Sequence, residues 1–184
     1  MDMANLRLEQ HAGTRTGLVD VPSYISGYVD GEGCFTVSIA PRPTLLVGWE
    51  VRPSLSVSQN HDRSEVLRTI QQYFGCGTIR PDRSDRTVKW ETRRLSVLLN
   101  HVIPHFEAYP LLSGKQQDFR AFADICRRME RREHCTSDGL IEIVGLAVGM
   151  NPSGKRGYEP EAIVRSLLIA GEGIVCPPVN RGMR

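Results

Sequence analysis

Tyr24-Ile25-Ser26-Gly27-Tyr28-Val29-Asp30-Gly31-Glu32-Gly33-Cys34-Phe35 is the stretch that decides the fold. It crowds glycines and carboxylates into the place where a helix gives way to a strand. Asp20 can cap that helix and Pro22 suits its first turn. The spacing predicts a short helix over Ser23–Asp30 that ends in Gly31 and Gly33. Gly27 and Gly31 fall on one helical face, and such a face lets a second helix approach closely for steric reasons. Asp30 and Glu32 sit at the helix C-terminus, where acids oppose the helix dipole. Something must compensate, and a divalent cation would. Taken alone, the same residues also describe a Gly-rich C-cap with solvated acids. Beyond them, Phe35, Val37 and Ile39 alternate with Thr36, Ser38 and Ala40, the period of a half-buried strand.

Reading outward, Pro41-Arg42-Pro43 breaks that strand and a second runs from about Gly48 to Ser58. Val51, Leu55 and Val57 are expected on its core side; Glu50, Arg52, Ser54 and Ser56 are expected opposite. Pro53 suggests an edge or a bulge. Asp62 and Glu65 have the spacing of a capping box. The following helix carries Val66, Leu67, Ile70, Tyr73 and Phe74 on one face, and Gly75 stops it. Thr78–Arg80 and Thr87–Thr92 read as a hairpin with an Asp/Arg-rich turn. Arg94–Phe106 is expected to be helical. Ser113 is expected to cap a long helix to about Arg132, with Phe119, Phe122, Ile125 and Met129 inward. Two more helices, Ser137–Met150 and Glu161–Ile169, flank the loop Asn151–Gly157. Residues 1–19 read as a tail, 20–132 as the core domain, 133–170 as a helical extension and 171–184 as a second tail. The order is α-β-β-α-β-β-α with C-terminal helices, an α+β arrangement.

Composition bounds the rest. The chain has 184 residues, 40% hydrophobic and 24% charged, which is globular rather than disordered. Its 23 basic and 21 acidic side chains leave a net +2, which excludes a strongly acidic protein. No run approaches the ~20 apolar residues of a membrane span, and the first residues lack an apolar signal stretch. A cytoplasmic or organellar protein with no membrane partner is expected. The five cysteines are scattered without a C-x-x-C pair, so neither a disulfide framework nor a zinc knuckle is indicated. Trp49 and Trp90 read as packing residues, and the Arg127-Arg128 and Arg131-Arg132 pairs as a solvated helix face. His101, His105 and His134 have no partners that the sequence identifies.

Ile25-Ser26-Gly27-Tyr28-Val29-Asp30-Gly31-Glu32-Gly33 resembles the nine-residue signature of the LAGLIDADG homing endonucleases. Ser26 stands for Ala, Gly31 for Ala and Glu32 for the second Asp. Leu55-Ser56-Val57-Ser58-Gln59, then Phe74-Gly75-Cys76-Gly77-Thr78-Ile79, then Tyr109-Pro110-Leu111-Leu112-Ser113-Gly114-Lys115 resemble later landmarks of the family in order. So does the stretch from Glu133 to Arg156. The resemblance covers roughly Ser23–Tyr158 and implies the αββαββα fold with a saddle-shaped antiparallel four-stranded sheet.

It also implies the function. One motif per chain implies a homodimer packed through Ser23, Gly27, Tyr28 and Gly31. Two copies of Glu32 would then meet, and Mg²⁺ (or Mn²⁺) would neutralise them and activate water against a phosphodiester. Metal ligands are sought at Glu32, Gly31 and Asp30, with Asp30 more structural. Gln59 and Arg63 match solvent-orienting groups. Lys115 matches the basic group beside the scissile phosphate, although the family often places its lysine one or two residues earlier. Thr36, Ser38, Arg42, Arg52, Ser54, Ser56, Arg80 and Lys89 are the expected double-stranded DNA contacts, with Arg83 and Arg86 on phosphates. The expected activity is site-specific double-strand cleavage at a long pseudo-palindromic site, with no small-molecule cofactor. The rivals are a non-cleaving DNA- or RNA-binding relative on the same fold, such as a maturase or regulator, and an unrelated α+β protein whose turn mimics the motif.

Overall fold

The computed structural model describes residues 20–82, 86–151 and 157–169. The expected tails, Arg83 and the loop residues 152–156 lie outside the described residues.

Helix α1 spans Val21–Glu32. Asp20 starts it by accepting hydrogen bonds from the Ser23 N–H at 3.4 Å and the Ser23 hydroxyl at 2.6 Å. The helix runs through Asp30 and Gly31 to Glu32, further than the glycine spacing suggested. The Gly33 N–H closes it on the Val29 carbonyl. A Cβ at Gly33 would lie 2.5 Å from Val29 Cγ1 and 2.7 Å from the Val29 carbonyl oxygen. Only glycine therefore lets strand β1 (Gly33–Pro41) leave directly from the helix end.

β1 pairs antiparallel with β2 (Trp49–Asn60), from Gly33↔Val57 to Pro41↔Trp49 without a bulge. β2 pairs with β4 (Thr87–Thr92), and β4 with β3 (Thr78–Pro81), in the order β1-β2-β4-β3. β2 is therefore an interior strand. Pro53 is tolerated because pairing with β4 covers only Leu55–Asn60, so its missing N–H deprives no β2–β4 bond.

The strand faces divide as alternation requires. Phe35, Ile39, Val51, Leu55, Val57, Val88 and Trp90 are buried on the core face. Phe35 sits 5.2–5.5 Å from the rings of Phe106, Phe119 and Phe122, and burying each such ring contributes about 2–3 kcal/mol. Trp90 stacks on Phe74 and donates its indole N–H to the Cys76 carbonyl at 3.0 Å. Gly77, at φ +87°, passes so close that a Cβ there would strike the indole.

Helix α2 (Glu65–Phe74) buries Leu67, Ile70 and Phe74. It ends at Gly75 in the left-handed region (φ 63°). The expected capping box does not form. The chain enters through a tight turn over His61–Arg63, and Ser64 takes the cap position and donates its hydroxyl to the His61 carbonyl at 3.0 Å.

The next helical stretch is interrupted. α3 (Leu95–Val97) leads into a widened π turn (Leu98–Val102) and then α4 (Ile103–Ala108). The cause is Pro104, which has no N–H for an α-type bond and whose ring would strike the carbonyl one turn back.

α5 (Lys115–Glu130) buries Phe119, Phe122, Ile125 and Met129 as expected. α6 (Ser137–Gly149) and α7 (Pro160–Ile169) complete the fold. Two of the α5 arginines are engaged. Arg127 pairs with Glu107, and Arg128 with Asp124, Glu133 and Glu142, which ties α5 to α6. Trp49 of β2 donates to Ser166 of α7 at 3.0 Å. Cys34, Cys76 and Cys126 are free thiols, and Cys135 is disulfide-bonded. No helix among the described residues is long and apolar enough to cross a membrane.

Candidate active site at the end of the first helix

The C-terminus of α1 leaves carbonyls without helical partners. Lys115, at the first turn of α5, answers them. Its Nζ donates to the carbonyls of Val29 (3.0 Å), Gly31 (3.5 Å) and Gly33 (2.6 Å). A half-buried ammonium on these oxygens opposes the negative pole of the helix. Lys115→Met is therefore expected to lower stability by about 1–2 kcal/mol, read by denaturant unfolding in chelator. Lys115→Arg should recover part of it.

Asp30 has a different task. It accepts hydrogen bonds from Leu112 N and Ser113 N, both at 3.0 Å, and from the Ser113 hydroxyl. Burial works to raise its pKa. The Ser113 hydroxyl, the two N–H groups and nearby Lys115 outweigh it and hold the carboxyl below its ordinary value. Ser113 is thus drawn to Asp30, while its Oγ accepts from Lys115 N at 3.1 Å. It serves as a staple between α1 and α5 rather than as the simple cap expected.

Glu32 is exposed. Among the described residues no salt bridge engages its carboxylate, and no group of three or more His, Cys, Asp or Glu could hold a metal within one chain. One free carboxylate beside the Gly31 carbonyl makes half of a hard-cation site. On the other flank, Gln59 donates its amide to the Tyr28 hydroxyl and accepts from Asn60 N at 2.9 Å. Gln59, Arg63, Tyr24 and Tyr28 line an open cleft of about 520 Å³. Glu32, Gly31, Lys115, Tyr28 and Gln59 therefore gather at one end of α1.

Among the described residues nothing covers the outward side of α1. Ser23, Gly27 and Gly31 are exposed, and a Cβ added at either glycine would meet nothing within 4 Å. Tyr28 is half-buried.

The sheet face away from the core carries the residues expected to meet DNA. Register puts Ser38 beside Arg52, Ser56 beside Glu91, and Lys89 beside both Ser58 and Arg80. The cations are not bare. Arg42 and Arg52 both bind Glu50, and Arg80 and Arg93 both bind Glu91. Lys89 lies 3.7 Å from Asp82. The hydrogen bonds from Arg52 and then Arg42 hold the Glu50 carboxyl down at about 2. Ser54 is only 7% exposed and its hydroxyl lies 2.7 Å from that of Thr36, so of the two the less buried Thr36 is the more open to a ligand. Arg86 is exposed beside the hairpin turn.

Sequence reasoning missed His105. It is buried, with Nε2 at 3.1 Å from Ser26 Oγ and Nδ1 at 2.9 Å from Tyr73 Oη. Ser26 donates to the Tyr109 carbonyl at 2.7 Å. Its oxygen must then accept from Nε2–H, which leaves Nδ1 to accept from the tyrosine. This network explains why a serine stands where the motif carries alanine. The only sequence signal was that polar substitution inside an apolar helix face. Burial lowers the His105 pKa from 6.5 to about 4. Since the unfolded chain protonates first, this contribution is full above pH 6.5 and lost as pH falls towards 4. Wild type should lose about 2 kcal/mol from this group between pH 7 and pH 5. His105→Gln should lose much less over that interval when unfolding free energies are compared.

The LAGLIDADG endonuclease family model matches residues 25–126. A probable intron-encoded endonuclease 2 of Neurospora crassa is 34% identical over 131 residues, 71% of this chain and 29% of that protein. The crystal structure of the homing endonuclease I-TnaI is 35% identical with a TM-score of 0.71, covering 82% of this chain and 97% of the other. The archaeal intron-encoded homing endonuclease I-Vdi141I, complexed with DNA, is 25% identical with a TM-score of 0.74 over 81% of this chain and 95% of the other. Against three fungal curated relatives, the chain spans only 29%, 24% and 26% of their length.

Proposed function

Given that this chain belongs to the LAGLIDADG endonuclease family, we propose that it is a homodimeric, site-specific double-strand DNA endonuclease that uses Mg²⁺ or Mn²⁺ and serves intron homing. The observation that carries this reading is the exposed Gly27/Gly31 face of α1, uncovered among the described residues and ending in a Glu32 that no salt bridge among them engages. Two such faces packed about a two-fold axis bring two Glu32 carboxylates together. These carboxylates with the Gly31 carbonyls fit a hard divalent cation, as oxygen donors do. When bound, the cation offsets the carboxylate repulsion and activates water against the phosphodiester.

The remaining chemistry belongs to the chain. Lys115 keeps a positive charge at the helix end, beside the developing negative charge on phosphate. Gln59, held by Tyr28, and Arg63 orient water in the adjoining cleft. Asp30 is spent on the α1–α5 staple, so the ligand role falls to Glu32. The polar sheet face enters the major groove with Thr36, Ser38, Arg42, Arg52, Ser56, Arg80 and Lys89, while Arg83 and Arg86 reach phosphates. A two-fold dimer reads two half-sites, which makes the target long and roughly palindromic.

Cleavage of a randomised double-stranded library with Mg²⁺, wild type beside Glu32→Gln, tests the reading. Discrete cuts by wild type alone support it. Specific binding without cutting by either protein assigns the chain to the non-cleaving relatives instead.

A further inference from the structure

Two arrangements on the polar sheet face repeat one design. Glu50 lies between Arg42 and Arg52, with Arg42 Nη1 at 2.9 and 2.8 Å from its two oxygens and Arg52 Nη2 at 2.5 Å. Glu91 lies between Arg80 (2.6 Å) and Arg93 (2.9 Å), each on a different oxygen. Glu50 pairs across the ladder with Ala40, and Glu91 with Ser56 and Thr78. Both carboxylates therefore share the face of Ser38 and Lys89. Acids on a surface that meets polyanionic DNA weaken non-specific attraction. Each also fixes two long side chains that would otherwise sample many rotamers.

We infer that Glu50 and Glu91 are specificity-positioning residues for DNA, each holding a pair of arginines over the sheet so that they exchange carboxylate for the base edge of guanine. The inference rests on the DNA-binding reading. A guanidinium held in place spends little ordering entropy when it meets guanine O6 and N7, which accept two of its N–H groups. At a base without that edge the arginine gains nothing by leaving Glu50 or Glu91. An unpaired arginine would instead take any nearby phosphate, which carries no sequence information. The two acids thus convert indiscriminate cations into selective ones.

The test is base-by-base relative affinity on a randomised double-stranded library, measured without divalent cation for wild type, Glu50→Gln, Glu91→Gln and Glu107→Gln. Glu107 is a control of like kind. It pairs with Arg127 at 2.5 Å on the helices rather than on the sheet. Glu50→Gln and Glu91→Gln should each bind random DNA several-fold more tightly. Each should also lose about tenfold discrimination at a separate cluster of positions, while Glu107→Gln keeps the wild-type profile. A selective wild type whose preferences survive both sheet substitutions overturns the inference. So does a Glu107→Gln variant that flattens the profile equally. A wild type with no sequence preference overturns the DNA-binding premise itself, and the inference with it.

Discussion

Replacing Glu32 by Gln is expected to abolish cleavage, by at least about a thousandfold, while specific DNA binding persists. The substitution keeps the side-chain length and removes only the charge. Glu32 is exposed and the α1 terminus is already held by Lys115 and Asp30, so the fold has no reason to change. A second consequence separates charge from shape. Two adjacent carboxylates repel when no cation lies between them, so the dimer of E32Q should be more stable than wild type in chelator. With Mg²⁺ present, that order should narrow or reverse. Unfolding curves in chelator and in Mg²⁺, beside single-turnover cleavage, read both effects. Cleavage within tenfold of wild type would remove Glu32 from the reaction.

Gly27→Leu is expected to produce a stable, inactive monomer. Among the described residues nothing lies within 4 Å of a Cβ at that position, so a side chain can leave the helix there without a clash at its first atom. Exchanging glycine for leucine inside a helix contributes roughly 0.5–1 kcal/mol of helix propensity. The monomer should therefore unfold at slightly higher denaturant than it otherwise would. Two leucines facing each other, however, keep the paired helices apart. Analytical ultracentrifugation should show a monomer, and double-strand cleavage should fall below detection because neither copy completes the cation site. A dimer of undiminished stability would place the interface elsewhere.

Much of the fold was legible because its signals are local. Alternation at Phe35, Val37 and Ile39 identified β1, and the apolar face of Leu67, Ile70 and Phe74 identified α2. Gly75 marked a helix end that needs a left-handed residue. The capping box at Asp62–Glu65 failed because spacing does not say which of two neighbouring polar residues the chain will use as its cap. The π turn before Pro104 went unread, since periodicity tolerates a single widened turn.

The candidate site divides the same way. The sequence by itself determined the motif helix, the presence of Glu32 at its end, and the face shared by Gly27 and Gly31, because helical period alone sets these. Only the tertiary structure decided that the cation opposing the α1 dipole within the chain is Lys115, that Asp30 is spent on Leu112 and Ser113, and that Ser26 answers a buried His105. It also decided that the sheet arginines are held by Glu50 and Glu91. Most of these join residues from different elements; Arg52 on Glu50 and Arg93 on Glu91 lie two residues apart, at the strand period. A hydrogen bond across 80 residues of chain leaves no periodic trace in sequence; it exists only once packing has brought donor and acceptor within ~3 Å.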